Sequence, residues 1–457
     1  MPTGYLLRLR RYRAHKFNFQ RVITQKPEGA GVSCCCCWRF KTYAHLFLTC
    51  SKQKQTNLTY NSAMALSGIK VLELVGLAPG PFCGKILADF GATVTRIDKV
   101  YNNQLDILQH GKRTLALNLK NAKAQLLLRR LSKQYDVLIE PFRPGVMEKL
   151  NLGPAHLCSE NPRLIYARLT GFGQYGRLAP RAGHDINYAA ISGVLSMLGR
   201  HNEKPTAPIN LLADFAGGGL ICALGICMAL LERHRSGCGQ VVDAAMVDGA
   251  AYAASWLIMS QALPLWGRER GRNVLDGGAF FYDTYETKDG RFMSVGALEP
   301  QFFELLKEKL ELPQLTQFVD DEEQETMKEL VRMKFLEKTQ LEWSEIFEDI
   351  DACVYPVLEW REAAMHEHNK ERQSFQIIDG VVVPTPAPRL SRTPGVVAVG
   401  KHEEKEGEMD ADVEVENKTS QMDEALEILK DLNLTSIELE ELIHNSVVLV
   451  PRVKGKL

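Results

Sequence analysis

The stretch RAGHDINYAAISG, residues 181–193, sets a histidine and an aspartate side by side at a glycine, where an apolar helix begins. From there Ile186, Ala189, Ala190, Val194 and Leu195 recur at helical spacing. His184 and Asp185 therefore stand at a helix entrance, where backbone N–H groups lack partners and the local field favours negative charge. An anion, or an oxygen about to become one, is stabilised at such a place. Taken alone, the plainer reading comes first: an Asp185 N-cap with an incidental neighbour. A second stretch, NLLADFAGGGLICALGICMALLERHRSGCGQ, puts Asp214 ahead of Gly217, Gly218 and Gly219 at the start of a long apolar helix. Those glycines would let a ligand or another chain approach the backbone closely. A helix-capping Asp with packing glycines accounts for the same residues. In a third stretch, VGALEPQF, Glu299 precedes Pro300 after an apparent strand. A glutamate there is ordinarily a solvated strand end.

The elements that must carry these residues follow a βαβ pattern. GIKVLEL (68–74) is a β-rich run, and the loop VGLAPG leads to a helix with Pro81 at its first position and Gly91 closing it. ATVTRID (92–98), TLALNL (114–119), YDVLIE (135–140), RLIYARL (163–169) and QVVDAAM (240–246) are further strands with helix-like stretches between them. Such alternation implies an α/β fold, a parallel sheet wrapped by helices. Ligands of such sheets sit outside the carboxyl ends of the strands. The loop after the first strand lacks GxGxxG spacing, so nicotinamide binding has no support.

Beyond about residue 250 the style changes. AFFYDTYETKDGRFMSVGAL (279–298) alternates aromatic and polar residues across a Lys-Asp-Gly turn, a hairpin pattern. The expected plan is a basic extension (1–63), a large α/β domain (64–250), a linker (251–278) and a smaller α+β domain (279–372). A second linker (373–390) contains the extended VVVPTPAPRL. The last segment (391–457) returns to the large domain and is partly acidic and disordered.

Charge is unevenly spread over the 457 residues. Residues 1–63 hold eleven Lys/Arg and one acid, a net of +10, which leaves −11 on the rest of a chain whose total is −1. A mildly acidic body gives no reason to invoke nucleic acid. The longest apolar run, LICALGICMALL (220–231), is too short to span a bilayer and reads as a buried helix of a soluble protein. The Arg-rich leader fits a mitochondrial targeting peptide, with a disordered basic tail as the alternative. The C-terminal Gly-Lys-Leu differs from the peroxisomal Ser-Lys-Leu at Gly455. Peroxisome, mitochondrion or both are therefore the expected locations. Scattered cysteines, with no CxxC spacing after the leader, argue for a reducing compartment and against a zinc site or disulfide framework.

Three more segments, LAPGPFCGKILADFGA, GKRTLALNLK and PFRPGVMEKLNLGP, join RLIYARLTGFGQ, DGGAFFYDTY and the stretches above in an ordered, nearly continuous series from Met64 to about residue 390. On these residues the chain resembles the racemase branch of the family III CoA-transferase (CaiB/BaiF) superfamily. The resemblance implies a Rossmann-like large domain, a smaller α+β domain and an interlocked homodimer. It implies that His184 and Asp214 are the acid/base residues and that Glu299 orients His184, reaching it from the partner's small domain. Coenzyme A, as part of the substrate, would meet Lys99, then Leu117, Asn118, Leu119 and Lys120, then Gly183, His184, Asp185, Ile186, Asn187 and Tyr188. Lys112 and Arg113 are additional phosphate candidates by charge, with a solvated surface pair as the plainer reading. The implied substrates are 2-methyl-branched acyl-CoA esters of fatty-acid and bile-acid metabolism, with no metal, flavin or nicotinamide.

The residue types suit that chemistry. Inverting the carbon beside a thioester means removing a weakly acidic proton and returning one to the opposite face, so one base on each face solves the stereochemistry. Histidine shuttles protons near neutral pH, and an aspartate serves as its counterpart. A backbone N–H of Asp185 at the helix entrance would stabilise the enolate oxygen as it forms. Two alternatives stay open. A CoA-transferase of the same fold would use Asp214 as a nucleophile and would need no His184. A catalytically idle CoA-binding protein would have lost His184 or Asp214. GHDINY with LEPQF belongs to the racemase pattern, and LDGGAFFY lacks the longer glycine run of the transferases.

Overall fold

Six β-rich runs pair in parallel as one sheet in the order β3-β2-β1-β4-β5-β6. They are β1 (Lys70–Leu74), β2 (Thr93–Asp98), β3 (Arg113–Ala116), β4 (Val137–Glu140), β5 (Ile165–Thr170) and β6 (Val241–Ala245). The computed structural model describes residues 64–99, 107–378, 380–397, 423–430, 432 and 434–449. The basic leader, most of the acidic segment and the C-terminal tripeptide lie outside the described residues, and the targeting readings lie there with them.

Side chains one residue apart along a strand leave for opposite faces, and the sheet accordingly has two cores. Leu72, Leu138 and Tyr166 point to the face covered by Leu127 and Leu131 of α2 (Ala122–Ser132). Val71, Val137, Ile139 and Ile165 point to the other, against Cys83 and Leu87 of α1 (Pro79–Asp89) and Cys222 and Ile226 further along the chain. Fully burying one such aliphatic side chain is worth about 1.5–3 kcal/mol, so the register that buries all of them wins. The helix α1 begins two residues earlier than expected. Pro79, not Pro81, takes its first position, and Gly91 at φ +102 closes it in the left-handed region.

TLALNL leaves the sheet after Ala116. Leu117 instead bridges Val448 antiparallel, and the N–H of Asn118 donates to the Val447 carbonyl at 3.2 Å. The C-terminal segment thus covers an edge that would otherwise present unpaired groups. Ala425, Ile428 and Leu429 of the helical residues 423–430 enter the same core as Leu72.

After β4 come the short helices α3 (Val146–Lys149) and α4 (Pro154–Glu160), and after β5 comes α5 (Asp185–Ile191). The apolar run 220–231 proves to be part of a longer helix, a π-helical segment Leu211–Leu220 continued by α6 (Ile221–Ser236). The combined 26 residues are long and apolar enough to cross a membrane by length and composition, which corrects the expectation that the run is too short. Within the fold this helix packs on α1, α5, β5, β6 and α7 (Met246–Ala253).

Residues expected as linkers carry structure. Helix α7 and the short α8 (Ser255–Met259) run into 251–278, and a hairpin of β10 (Phe375–Ile378) and β11 (Val381–Pro384) occupies 373–390. Between them lies an antiparallel sheet of β7 (Tyr282–Glu286), β8 (Phe292–Gly296) and β9 (Val354–Pro356). The helices α9 (Pro300–Leu310), α10 (Asp321–Phe335) and α11 (Gln340–Phe347) pack on it through Phe303, Leu306, Phe335 and Trp343.

Candidate active site

The first two stretches both lie between β5 and β6, and the helices they form, α5 and the π-helical segment, pack on each other. His184 is the N-cap of α5, in extended conformation, and its N–H donates to Asn187 Oδ1 at 3.1 Å. Asp185 is therefore not the cap. It is the first helical residue, 2% exposed, and its carboxylate turns away to the π-helical segment. There Oδ1 accepts the N–H of Ala213 at 2.7 Å and of Asp214 at 2.9 Å. The imidazole of His184 is exposed at the same helix entrance.

Asp214 is not a cap either. It lies inside the π-helical turn, whose N-cap is Asn210, and is 7% exposed. Its Oδ2 accepts a hydrogen bond from Asn210 Nδ2 at 2.8 Å. Burial raises its pKa above the ordinary aspartate value; the Asn210 hydrogen bond opposes that shift, the Asp185 charge adds to it, and His184 opposes it. His184 and Asp214, thirty positions apart in sequence, thus share one electrostatic site. A carboxyl with raised proton affinity, on which the charge of an exposed imidazole acts, makes with it a pair suited to giving and taking protons.

The glycines after Asp214 are packing devices. A Cβ on Gly217 would stand 2.4 Å from the Ala250 nitrogen, and one on Gly249 1.8 Å from the Gly217 carbonyl oxygen. Gly219 is closed off in the same way by Phe82 and Pro79. The plainer reading of these glycines is the one the structure carries.

Tyr188 is buried, its ring edge-on to Phe172 with centroids 4.9 Å apart, and its hydroxyl donates to the Gly183 carbonyl. A Cβ at Gly183 or Gly171 would meet that ring at 2.7 or 2.1 Å. Tyr188 therefore holds the loop that presents His184, while Ile186 and Asn187 remain exposed on the first turn.

The expected CoA residues fall at the ends of adjacent strands. Asp98 of β2 pairs with Ala116 of β3, and the next residues are Lys99 and Leu117. The Leu117 N–H donates to the Asp98 carbonyl at 2.8 Å, and the Lys99 N–H to Asp98 Oδ1 at 2.5 Å. Lys99 and Lys120 are exposed, Asn118 and Leu119 half-buried, and Leu117 is buried in the core. Between β2 and β5 lie three strand spacings, about 14 Å, so an extended ligand could run from Lys99 to His184. Lys112 has a different role. Its side chain is fully buried, paired with Glu73 Oε2 at 2.8 Å and donating to the Pro81 carbonyl at 2.8 Å. It is neither a phosphate ligand nor a solvated cation, because its charge is spent fastening α1 to the sheet. Arg113 is half-buried against Thr95, at 3.5 Å.

Sequence reasoning passed over Asn210 and Arg143. Arg143 is exposed in the loop after β4, near enough for its charge to act on Tyr188. That loop is anchored by Glu140, which accepts the Phe142 N–H at 2.8 Å and pairs with Arg168 Nε at 2.6 Å. Burial pushes the Glu140 carboxyl up to about 6, although Arg168 pulls the other way. The signal for Arg143 was its place: strand order reverses between β1 and β4, where crevices form.

Glu299 is exposed at the N-cap of α9, its carbonyl accepting from the N–H groups of Phe302 and Phe303. Its charge is felt by Cys353. Among the described residues its side chain has no hydrogen bond or ion pair to His184 or Asp214. No group of three or more His, Cys, Asp or Glu among the described residues could hold a metal ion.

The parallel sheet and the neighbourhood of His184 and Asp214 are thus defined by this chain's own residues. The profile of CoA-transferase family III matches residues 66–401, and the chain belongs to that family. Within it, the chain is 56% identical over 355 residues to the α-methylacyl-CoA racemase of Homo sapiens, covering 75% of this chain and 92% of that protein. It is 54% identical over 352 residues to the racemase of that name from Mus musculus, covering 74% and 91%. Among solved structures, Rv3272 of Mycobacterium tuberculosis aligns at 26% identity with a TM-score of 0.61, over 74% of this chain and 96% of that one.

Proposed function

We propose that this chain is an isomerase that interconverts the (R) and (S) epimers of 2-methylacyl-CoA thioesters. The observation that carries the reading is that Asp185, the residue after His184, accepts the backbone N–H groups of Ala213 and Asp214, which holds an exposed histidine and a buried carboxyl of raised proton affinity in one neighbourhood. Identity above one half to proteins named for this activity, over most of their length, supports it. One of the two groups removes the α-proton, the thioester oxygen takes up negative charge as the enolate forms, and the other group delivers a proton to the opposite face. The Asp185 N–H, unpaired by its own helix, is the donor for that oxygen. Lys99, Asn118, Lys120 and Arg143 receive the CoA half. The reaction needs no redox group or metal, since each step moves only a proton. The test is to incubate one pure epimer with the protein and resolve the product's α-stereochemistry; accumulation of the other epimer without any acid acceptor is expected.

The working form is proposed to be a homodimer in which Glu299 of one subunit orients His184 of the other. Two exposed apolar rows supply a surface for it: Leu220, Leu224, Met228 and Leu231 along the long helix, and Tyr252, Trp256, Met259 and Leu263 beyond it. Light scattering is expected to report twice the 51.3 kDa chain mass, and Glu299→Gln to lower kcat by about 10- to 100-fold while leaving KM near native. An active monomer at working concentration removes the shared-site proposal. The proposed location is peroxisome, mitochondrion or both, from the basic leader and the C-terminal Gly-Lys-Leu.

A further inference from the structure

We propose that Asp185 and Asn210 are positioning residues that clamp Asp214 from two sides, so that it meets the substrate through Oδ1 alone. The inference rests on the proton-transfer reading above. One side of the clamp is the backbone. Asp185 follows His184 directly, and its Oδ1 accepts two successive N–H groups, those of Ala213 and Asp214. A single carboxylate therefore ties the chain leaving one base to the chain bearing the other. The distance between the two bases is set by a buried side chain rather than by loops.

The other side is the carboxyl itself. Asn210 Nδ2 donates to Oδ2 of Asp214 at 2.8 Å, and among the described residues Oδ1 accepts no hydrogen bond. Asn210 reaches this place through an unusual backbone. Ile209 and Asn210 stand at φ +46 and +62, two successive non-glycine residues in the left-handed region, and the π-helical segment starts immediately after them. Such conformations persist where the surroundings over-determine them, often at functional sites. Asp185 Oδ2 is also buried without a hydrogen-bond partner among the described residues. Leaving a buried carboxylate oxygen unpaired is costly, and its charge is one of those acting on Asp214.

Three variants separate positioning from mere folding. Asn210→Gly keeps the left-handed backbone and removes the amide. Asp185→Asn keeps an acceptor for both N–H groups and removes the charge, whereas Asp185→Ala removes both. For inversion, kcat is expected to fall about tenfold in Asn210→Gly and about a hundredfold in Asp185→Ala, with Asp185→Asn between native and Ala and KM within about threefold throughout, because small misplacements of a reacting group act on rate. Native kcat in Asn210→Gly, or an effect confined to KM, overturns the proposal.

Amide hydrogen exchange gives an arm independent of the reaction. The Ala213 and Asp214 amides are expected to exchange slowly in the native protein and in Asp185→Asn, and fast in Asp185→Ala. Fast exchange in the native protein overturns the clamp even if Asp185→Ala fails to fold. If the native protein inverts no epimer, the proton-transfer reading fails, while the exchange arm still decides whether the clamp exists.

Discussion

His184→Ala is expected to abolish net inversion from both epimers, lowering turnover by about 100- to 10,000-fold, the range of a general acid–base group. The loss must appear in both directions, since each needs one group as base and the other as acid. The variant should keep one partial activity. With Asp214 intact, a proton can still leave and return on its own face, so one epimer is expected to exchange its α-hydrogen with solvent without inverting. His184 is an exposed N-cap whose backbone N–H donates to Asn187 Oδ1, a bond that alanine keeps, so the fold should survive the change and thermal stability stay near native. The transferase chemistry of the same fold makes Asp214 the nucleophile and would tolerate the loss of His184. Inversion within tenfold of native in His184→Ala would remove the two-base mechanism.

Asp214→Asn has a comparably large expected effect, again about 100- to 10,000-fold on inversion, with much of the CoA affinity preserved because the amide keeps the shape. Burial raises the Asp214 pKa, so the group takes up its proton at a higher pH than an ordinary aspartate. Where Asp214 is the base, kcat/KM should therefore fall with decreasing pH through that raised value, and this acid limb should lie above the ordinary aspartate range. Stability runs in the opposite sense. A carboxyl whose folded pKa is raised gives stability that is full below its unfolded value of 3.8 and is lost as pH rises through the folded one. The Asn variant lacks this loss. It should be at least as stable as the native protein at neutral pH, with its advantage shrinking as pH falls toward 3.8. A variant that loses both activity and stability at neutral pH would mean that Asp214 is structural.

The strands were legible as short β-rich runs, most of them buried on both faces although β6 is partly exposed, and their ends moved by at most three residues. Leu117 was read as strand, yet its antiparallel partner at Val448 lies more than three hundred positions away. The three-residue β9 and the hairpin in 375–384 were missed, the first being too short to show a period. In the site, chemical type and place were readable but pairing was not. Nothing in spacing joins His184 to Asp214; in sequence only the family resemblance relates them, and in the fold the Asp185 carboxylate bridges the two segments. Lys112 shows the converse. A cation beside Arg113 reads as surface, and only the buried Glu73 on another strand explains it. Within one chain the Glu299 side chain has no hydrogen bond or ion pair to His184 or Asp214 among the described residues, so the role proposed for it calls for a second subunit.

Racemisation in heavy water tests the central claim most directly. One epimer of a 2-methylacyl-CoA is incubated with the protein in D2O without any carboxylic-acid acceptor, and the α-carbon is followed by NMR and chiral analysis. The account predicts that the opposite epimer appears carrying deuterium at the α-carbon and that no substrate fragment stays attached to Asp214. Turnover that waits for an acid acceptor, leaves the α-hydrogen in place and yields a hydroxylamine-sensitive acyl group on Asp214 would contradict it.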